Sequence, residues 1–299
     1  MSGSITAPAR RPALSPSRAA DFRRCALLYR FRVVDRLPEA PSPAALRGTA
    51  VHAVLERLFA LPADARRPER LAPLAAQVVA GLDPGEAAVL GEGAADGVVA
   101  LAGRYFALED PRSVEPEGCE VVLEADGDGA AATPLRGIVD RLDPVAGGGL
   151  RVVDYKTGAA PPVPREARAL FAMRFYALML WRSRGVVPEL RLMYLADGAV
   201  LTLRPTADEL ARFTRTLDAV WAAVRRAAPT GEFRPNPGPG CAWCDHQARC
   251  PAFGGTPPPY PGWPADADGT PEGTRAPGPV MLPLPRAPAA VESPPRRPE

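Results

Sequence analysis

Gly137-Ile-Val-Asp140-Arg-Leu-Asp-Pro-Val-Ala-Gly-Gly-Gly-Leu-Arg-Val-Val-Asp154-Tyr-Lys156-Thr-Gly158 joins two short apolar runs, each ending in an acidic residue, through a glycine-rich turn. Val152 and Val153 read as a buried strand and Leu135 to Leu142 as its neighbour, with Pro144 to Gly149 as the hairpin turn. Pairing of the two strands brings Asp140 and Asp154 together at one end of a sheet. Side chains two apart share a face, so Lys156 lies on the face of Asp154. Adjacent carboxylates repel unless a positive charge sits between them. A divalent cation meets that need, and hard oxygen ligands suit magnesium or manganese. A lysine beside the ion can orient a water or stabilise developing negative charge. The bland alternative is a pair of solvated turn aspartates beside a surface lysine. Against it stands the composition: Lys156 is the only lysine in a chain whose other basic residues are all arginine. An ammonium is a compact point charge and a guanidinium a broad fork, so this position is one where arginine does not serve.

Gly-Ile-Val-Asp-Arg followed by Val-Val-Asp-Tyr-Lys-Thr-Gly resembles the RecB-like exonucleases of the PD-(D/E)XK nuclease superfamily, over about Leu14 to Phe253. The resemblance implies an α/β, restriction-endonuclease-like core: a small mixed central sheet flanked by helices. It extends to Arg47-Gly-Thr-Ala-Val-His52-Ala-Val-Leu-Glu56, where the family's histidine is a metal ligand. Val51, Leu55, Leu58 and Phe59 make the buried stripe of that helix. The implied ligand set is His52, Asp140, Asp154 and the Tyr155 carbonyl, with Asp140, Asp154 and Lys156 catalytic. Glu56 is either a partner to the imidazole or an ordinary helix charge near Arg57.

Composition bounds the rest. At 299 residues and 46% apolar content a sizeable core is affordable, and a net charge of +2 gives no bulk attraction for nucleic acid. Any contact with DNA must come from local arginines. Met1 to Pro12 lacks an apolar signal core and no apolar run is long enough for a bilayer, so a cytoplasmic protein with no membrane role is expected. Five cysteines without an export signal argue for metal or cluster binding rather than disulfides.

In chain order, residues 1–13 are expected to be disordered and 14–253 to form the nuclease domain. Ser15 or Ser17 caps a helix through about Tyr29 that carries Cys25. Residues 62–108 form a helical insertion interrupted by Pro73, Pro84 and Gly91 to Gly97. Cys119 to Ala125 is a strand in which either Glu120 or Glu124 could face the metal site; solvent is the commoner place for strand carboxylates, so both are left out of the ligand set, and Cys119 packs. A helix from about Arg165 to Arg184 buries Leu170, Phe171, Phe175, Leu178 and Trp181, and its Arg168, Arg174, Arg182 and Arg184 are candidate phosphate contacts. The family carries Gln-x-x-x-Tyr here. This chain keeps Tyr176, a substrate-binding candidate with Arg174, but has Ala172 in place of the glutamine. Two strands, Leu190 to Leu195 and Val200 to Arg204, flank an Asp197-Gly198 turn, and a helix follows from Thr206 or Asp208 to about Arg226.

Cys241-Ala-Trp-Cys244-Asp-His246-Gln-Ala-Arg-Cys250-Pro sets three thiols in a loop, 241–250, that needs a fourth ligand. His246 would complete a zinc site within the loop, and Cys25 would complete one from the far end of the chain. The resemblance favours the second, a [4Fe-4S] cluster on Cys25, Cys241, Cys244 and Cys250 that staples distant segments and adds to folding stability. Residues 254–299, rich in proline and glycine, read as a disordered tail with a weaker partner-binding candidate around Met281 to Pro285.

The reading is a metal-dependent deoxyribonuclease, an exonuclease on single-stranded DNA ends, in repair or recombination. No Gly-x-x-x-x-Gly-Lys-[Ser/Thr] loop is present, so any helicase partner is a separate chain. The rivals are a DNA-binding scaffold that kept fold and cluster, to which Ala172 points, and a zinc-site regulatory protein.

Overall fold

A computed structural model describes residues 13–126, 133–162 and 166–263. The N-terminal residues 1–12, the tail beyond 263 with its Met281 to Pro285 segment, and the side chain of Arg168 lie outside the described residues.

One five-stranded mixed sheet organises the chain. β1 (Gly118–Ala125), β2 (Leu135–Val145), β3 (Gly149–Lys156), β4 (Glu189–Tyr194) and β5 (Val200–Leu203) stand side by side in sequence order. β3 and β4 are parallel and the other neighbours antiparallel. The parallel pair needs a crossover, which α7 (Glu166–Arg184) supplies. The β2–β3 hairpin turns through Gly147 and Gly148, at φ +82° and +79°, where a side chain would be strained. Pro144 is not in the turn; it pairs with Leu150 inside the ladder.

Each face of the sheet carries its own core. On one, α7 and α8 (Ala207–Ala227) pack with α1 (Pro16–Arg24) over Leu123, Leu142, Val152, Leu190 and Leu192. On the other, α3 (Pro43–Phe59) lays Val51, Val54, Leu55 and Leu58 on Val153, Tyr155 and Met193. The insertion closes that second core: α4 (Leu71–Ala80), α5 (Pro84–Leu90) and α6 (Ala94–Gly103) follow α3, and Leu71, Val78, Val98 and Tyr105 are buried against it. Pro73 does not interrupt the insertion, because it falls in the first turn of α4, where no intrahelical N–H is needed. Pro84 opens α5, and Gly91 and Gly93, both at positive φ, separate α5 from α6.

Two expectations are corrected at the ends. The first helix does not run unbroken to Tyr29. Ser15 caps it, but Cys25 is extended (φ −162°, ψ 117°) and divides α1 from α2 (Ala26–Tyr29), which continues as a π-turn over Arg30–Val34. Residues 254–263 are not the start of a loose tail. Pro258 accepts from Arg30 Nη2 at 2.6 Å, Tyr260 donates to the Ala228 carbonyl, and Trp263 packs against the first core.

Candidate active site

The site exists because two strands lose step. Val121, Leu123 and Ala125 of β1 face the α7 core, yet Cys119, two residues before Val121, packs in the α3 core. On β2, Val139 and Leu142 share the α7 core although they are three apart. The alternation slips at Glu120 and Asp140, which are opposite one another between the Cys119–Arg141 and Val121–Val139 pairs. Glu120 takes φ +50°, a left-handed conformation that a non-glycine strand residue rarely adopts. Beyond the slip β2 leaves β3: their ladder ends at Arg141–Val153, and Leu14 pairs with Leu135. The Tyr155 N–H is donated instead to Asp140 Oδ2 at 2.7 Å. The hairpin thus opens at the one point where its two aspartates are next in register.

Into that opening α3 delivers His52. Its start is set by Ser42, which accepts from the Ala45 N–H, and by Pro43 in the first turn. Gly48 lets the helix pass close to the end of β3, where an added Cβ would stand 3.4 Å from Thr157 Oγ1. His52 Nδ1 lies 3.4 Å from Asp140 Oδ1. His52, Glu120 and Asp140 each offer a ligand atom within 4.8 Å of the others. Asp154 is buried behind them, its Oδ2 paired with Lys156 Nζ at 2.5 Å.

The electrostatics follow from crowding acids in a buried place. Burial disfavours the charged His52 ring, but Asp140 and then Asp154 outweigh it and lift its pKa to about 9. Burial pushes Asp140 up, yet the imidazole and the Tyr155 N–H hold it below its ordinary value. Burial raises Asp154, with Asp140 adding repulsion and Lys156 opposing both. Burial lowers Lys156, and the attraction of Asp154 more than restores it. The phenol of Tyr176, on α7, is raised by burial and by the charges of Asp154, Asp140 and Glu120. Gly137 makes room for it: a Cβ there would lie 3.0 Å from Tyr176 Cε1 and 2.8 Å from Met179 Cε. An imidazole nitrogen and two carboxylates whose ligand atoms lie within 4.8 Å of one another are a donor set that fits magnesium or manganese.

The structure therefore brings together His52, Asp140, Asp154, Tyr155, Lys156 and Tyr176. It adds Glu120, which sequence reasoning left outside the ligand set together with Glu124. Alternation puts Glu120 on the face of Val122 and Glu124, and only the positive φ turns it inward. Glu124 keeps to the expectation, exposed and paired with Arg136 at 3.2 Å. Glu56 lies toward Arg57 and Cys119. Two of the candidate phosphate contacts are engaged elsewhere. Arg182 donates to the Thr133 carbonyl, Arg184 pairs with Glu117, and the charge of Arg174 falls on Glu209 at the start of α8.

The cysteine loop rests on the N-terminal segment. Cys25 Sγ accepts the Asn236 N–H at 3.4 Å, Cys241 Sγ accepts the Gly238 N–H at 3.4 Å, and Arg24 donates to the Gly240 carbonyl. His246 is fully buried and gives its Nε2 to Glu39 Oε1 at 2.9 Å, with Phe31 edge-on to its ring. Its Nδ1 has no hydrogen-bond partner among the described residues, so the zinc alternative keeps a ligand nitrogen.

Comparison with known proteins adds an independent line. The family model of the PD-(D/E)XK nuclease superfamily matches residues 13–251. "Gene 69 protein" of Mycobacterium phage L5 is 30% identical over 151 residues, which is 49% of this chain and 45% of that protein, so the match spans less than half of the relative. A crystal structure of a protein named "Putative exonuclease" from Eubacterium rectale superposes with a TM-score of 0.52 at 12% identity, over 78% of this chain and 87% of that one. At that identity the likeness concerns the fold alone.

Proposed function

The chain belongs to the PD-(D/E)XK nuclease superfamily, and from that premise we propose that it is a RecB-like, metal-dependent deoxyribonuclease acting on single-stranded DNA ends in repair or recombination. The observation that carries this reading is the meeting of His52 with Glu120 and Asp140, and of Asp154 with Lys156, at the point where the hairpin opens. His52, Glu120, Asp140, Asp154 and the Tyr155 carbonyl would hold magnesium or manganese. A bound ion there supplies Lewis-acid stabilisation of the phosphodiester and a more acidic water.

The chain's own groups do the rest. Lys156, held at the carboxylate of Asp154, is placed to orient a water and to meet the charge that grows on phosphorus oxygens. Tyr176 offers a hydroxyl that stays protonated beside the carboxylates and so donates a hydrogen bond rather than adding charge. The Tyr155 N–H fixes the rotation of the Asp140 carboxylate. Ala172 leaves the position one turn before Tyr176 without a polar group.

A [4Fe-4S] cluster on Cys25, Cys241, Cys244 and Cys250 belongs to the same reading. Main-chain N–H donors already point at two of those sulfurs, as anionic thiolates require. Protein purified without air should be brown; a colourless, zinc-bearing protein would refute the cluster.

The decisive experiment incubates wild type, Asp154→Ala and Lys156→Ala with manganese and end-labelled single-stranded DNA. Wild type should degrade the strand from its ends, and each variant should lose at least about a hundredfold in rate while keeping its colour. DNA retained in a gel shift but left intact by wild type would favour the second reading, a binding module that kept the fold, which Ala172 motivates.

A further inference from the structure

Behind the carboxylates, on the opposite face of the sheet, lies a second charged cluster that the proposed chemistry does not use. Arg141 follows Asp140 in sequence, and its side chain points the other way, fully buried in the α3 core. It grips Asp143 through Nε and Nη2 at 2.8 and 2.9 Å, and Glu109 through Nη2 at 2.7 Å. Nη1 reaches the Tyr155 hydroxyl at 2.8 Å and the Tyr105 hydroxyl at 3.1 Å. The guanidinium also lies 4.6 Å from the centre of the Phe59 ring, on the helix that carries His52.

Tyr155 links this cluster to the site at two points. Its N–H holds Asp140 Oδ2, and its ring stands edge-on to the His52 imidazole, 6.1 Å between centres at 87°. A phenol fixed at its far end fixes both. We propose that Arg141 is a positioning residue for the metal site: by holding the Tyr155 hydroxyl from behind the sheet it sets where the Tyr155 main chain and the His52 ring stand. Tyr105 and Glu109 come from the end of the helical insertion, so the insertion acts as the wall against which the site is braced. This inference rests on the reading of His52 and Asp140 as metal ligands.

The test measures binding of manganese(II) alone to the purified full-length chain, by electron paramagnetic resonance of the free ion, beside melting temperatures. Tyr155→Phe deletes one hydroxyl and leaves Arg141 with Asp143 and Glu109. Arg141→Lys keeps the charge but not the fork. Arg30→Lys is the control, a buried arginine that ties Asp35 to the Pro258 carbonyl where the chain ends meet and has no partner in the Arg141 cluster. Tyr155→Phe and Arg141→Lys should each weaken manganese binding by about tenfold, the size typical of partners behind a ligand. Arg30→Lys should lower the melting temperature with manganese affinity unchanged. Wild-type affinity in Tyr155→Phe, with a melting loss like that of Arg30→Lys, would overturn the proposal. Should Arg141→Lys not fold, Tyr155→Phe decides alone. Wild type that binds manganese but spares DNA sinks only the hydrolytic reading, whereas wild type that binds no manganese sinks both.

Discussion

Two acidic neighbours set the electrostatics of His52. Its folded pKa, about 9, stands above the ordinary 6.5 because Asp140 and Asp154 outweigh the effect of burial. The sign follows from linkage: a raised histidine stabilises the fold fully below the unfolded pKa and loses that contribution as pH climbs through the folded one. Chelator-treated protein should therefore melt at falling temperature from pH 6.5 toward 9, and His52→Gln should flatten that slope. An unchanged slope would place the titration elsewhere. Gly137 is the other residue with a sharp expectation. A methyl there meets Tyr176 and Met179 in a packed wall, so Gly137→Ala should cost about 1–3 kcal/mol in denaturant unfolding. Burial also lifts the half-buried Cys119 thiol to about 12, so mass mapping after brief alkylation at pH 8 should find Cys119 the least modified described cysteine in cluster-free protein. Asp140, Asp154 and Lys156 were legible in the sequence because period-two spacing and one glycine turn put them at a common end. Glu120 was not, since its inward turn depends on a backbone angle that no residue pattern announces.

Elements with local signals were readable, and those defined by what they pack against were not. α8 starts at Thr206 because its hydroxyl accepts the Glu209 N–H while Glu209 returns to the Thr206 N–H, a capping box visible in the sequence. The break at Cys25 has no such mark, since it is the distant Asn236 that rewards the extended cysteine. The same holds for the slip in β1 and β2, which serves α3 and α7 at once. The insertion was legible as helical, but its attachment was not. Arg66 makes that attachment. It is buried and donates to the carbonyls of Leu61, Pro111 and Val114, whereas its partner Glu115 is mostly exposed and adds little. Arg66→Ala would leave the Leu61 and Val114 carbonyls without this donor, so a loss of about 2 kcal/mol or more is expected. Hydrogen exchange should locate the loosening in α4 to α6 and leave the β2–β3 ladder protected.

Across the whole molecule the two ends of the described chain close on one another. Leu27 donates to the Arg234 carbonyl, the Tyr29 and Phe233 rings stack, Arg30 holds Pro258, and Glu39 holds the buried His246. Cys25 lies in this same closure, its Sγ accepting the Asn236 N–H, so the proposed cluster would reinforce a junction that side chains already make. That arrangement predicts a particular coupling. Cys250→Ser removes one thiolate, and His246→Ala removes the tie to Glu39 while leaving that carboxylate to Arg32 at 2.7 Å. If both act by holding the 241–250 loop on the N-terminal segment, whichever change comes first releases it, and the second has less left to lose. The double variant should be less destabilised than the sum of the singles by about 1 kcal/mol or more in denaturant unfolding, as for residues sharing one structural unit. Strict additivity would mean that the cysteines and His246 secure different parts of the protein. The β2–β3 site shares no proposed ligand with the 241–250 loop, so manganese affinity should stay at the wild-type level in all three variants.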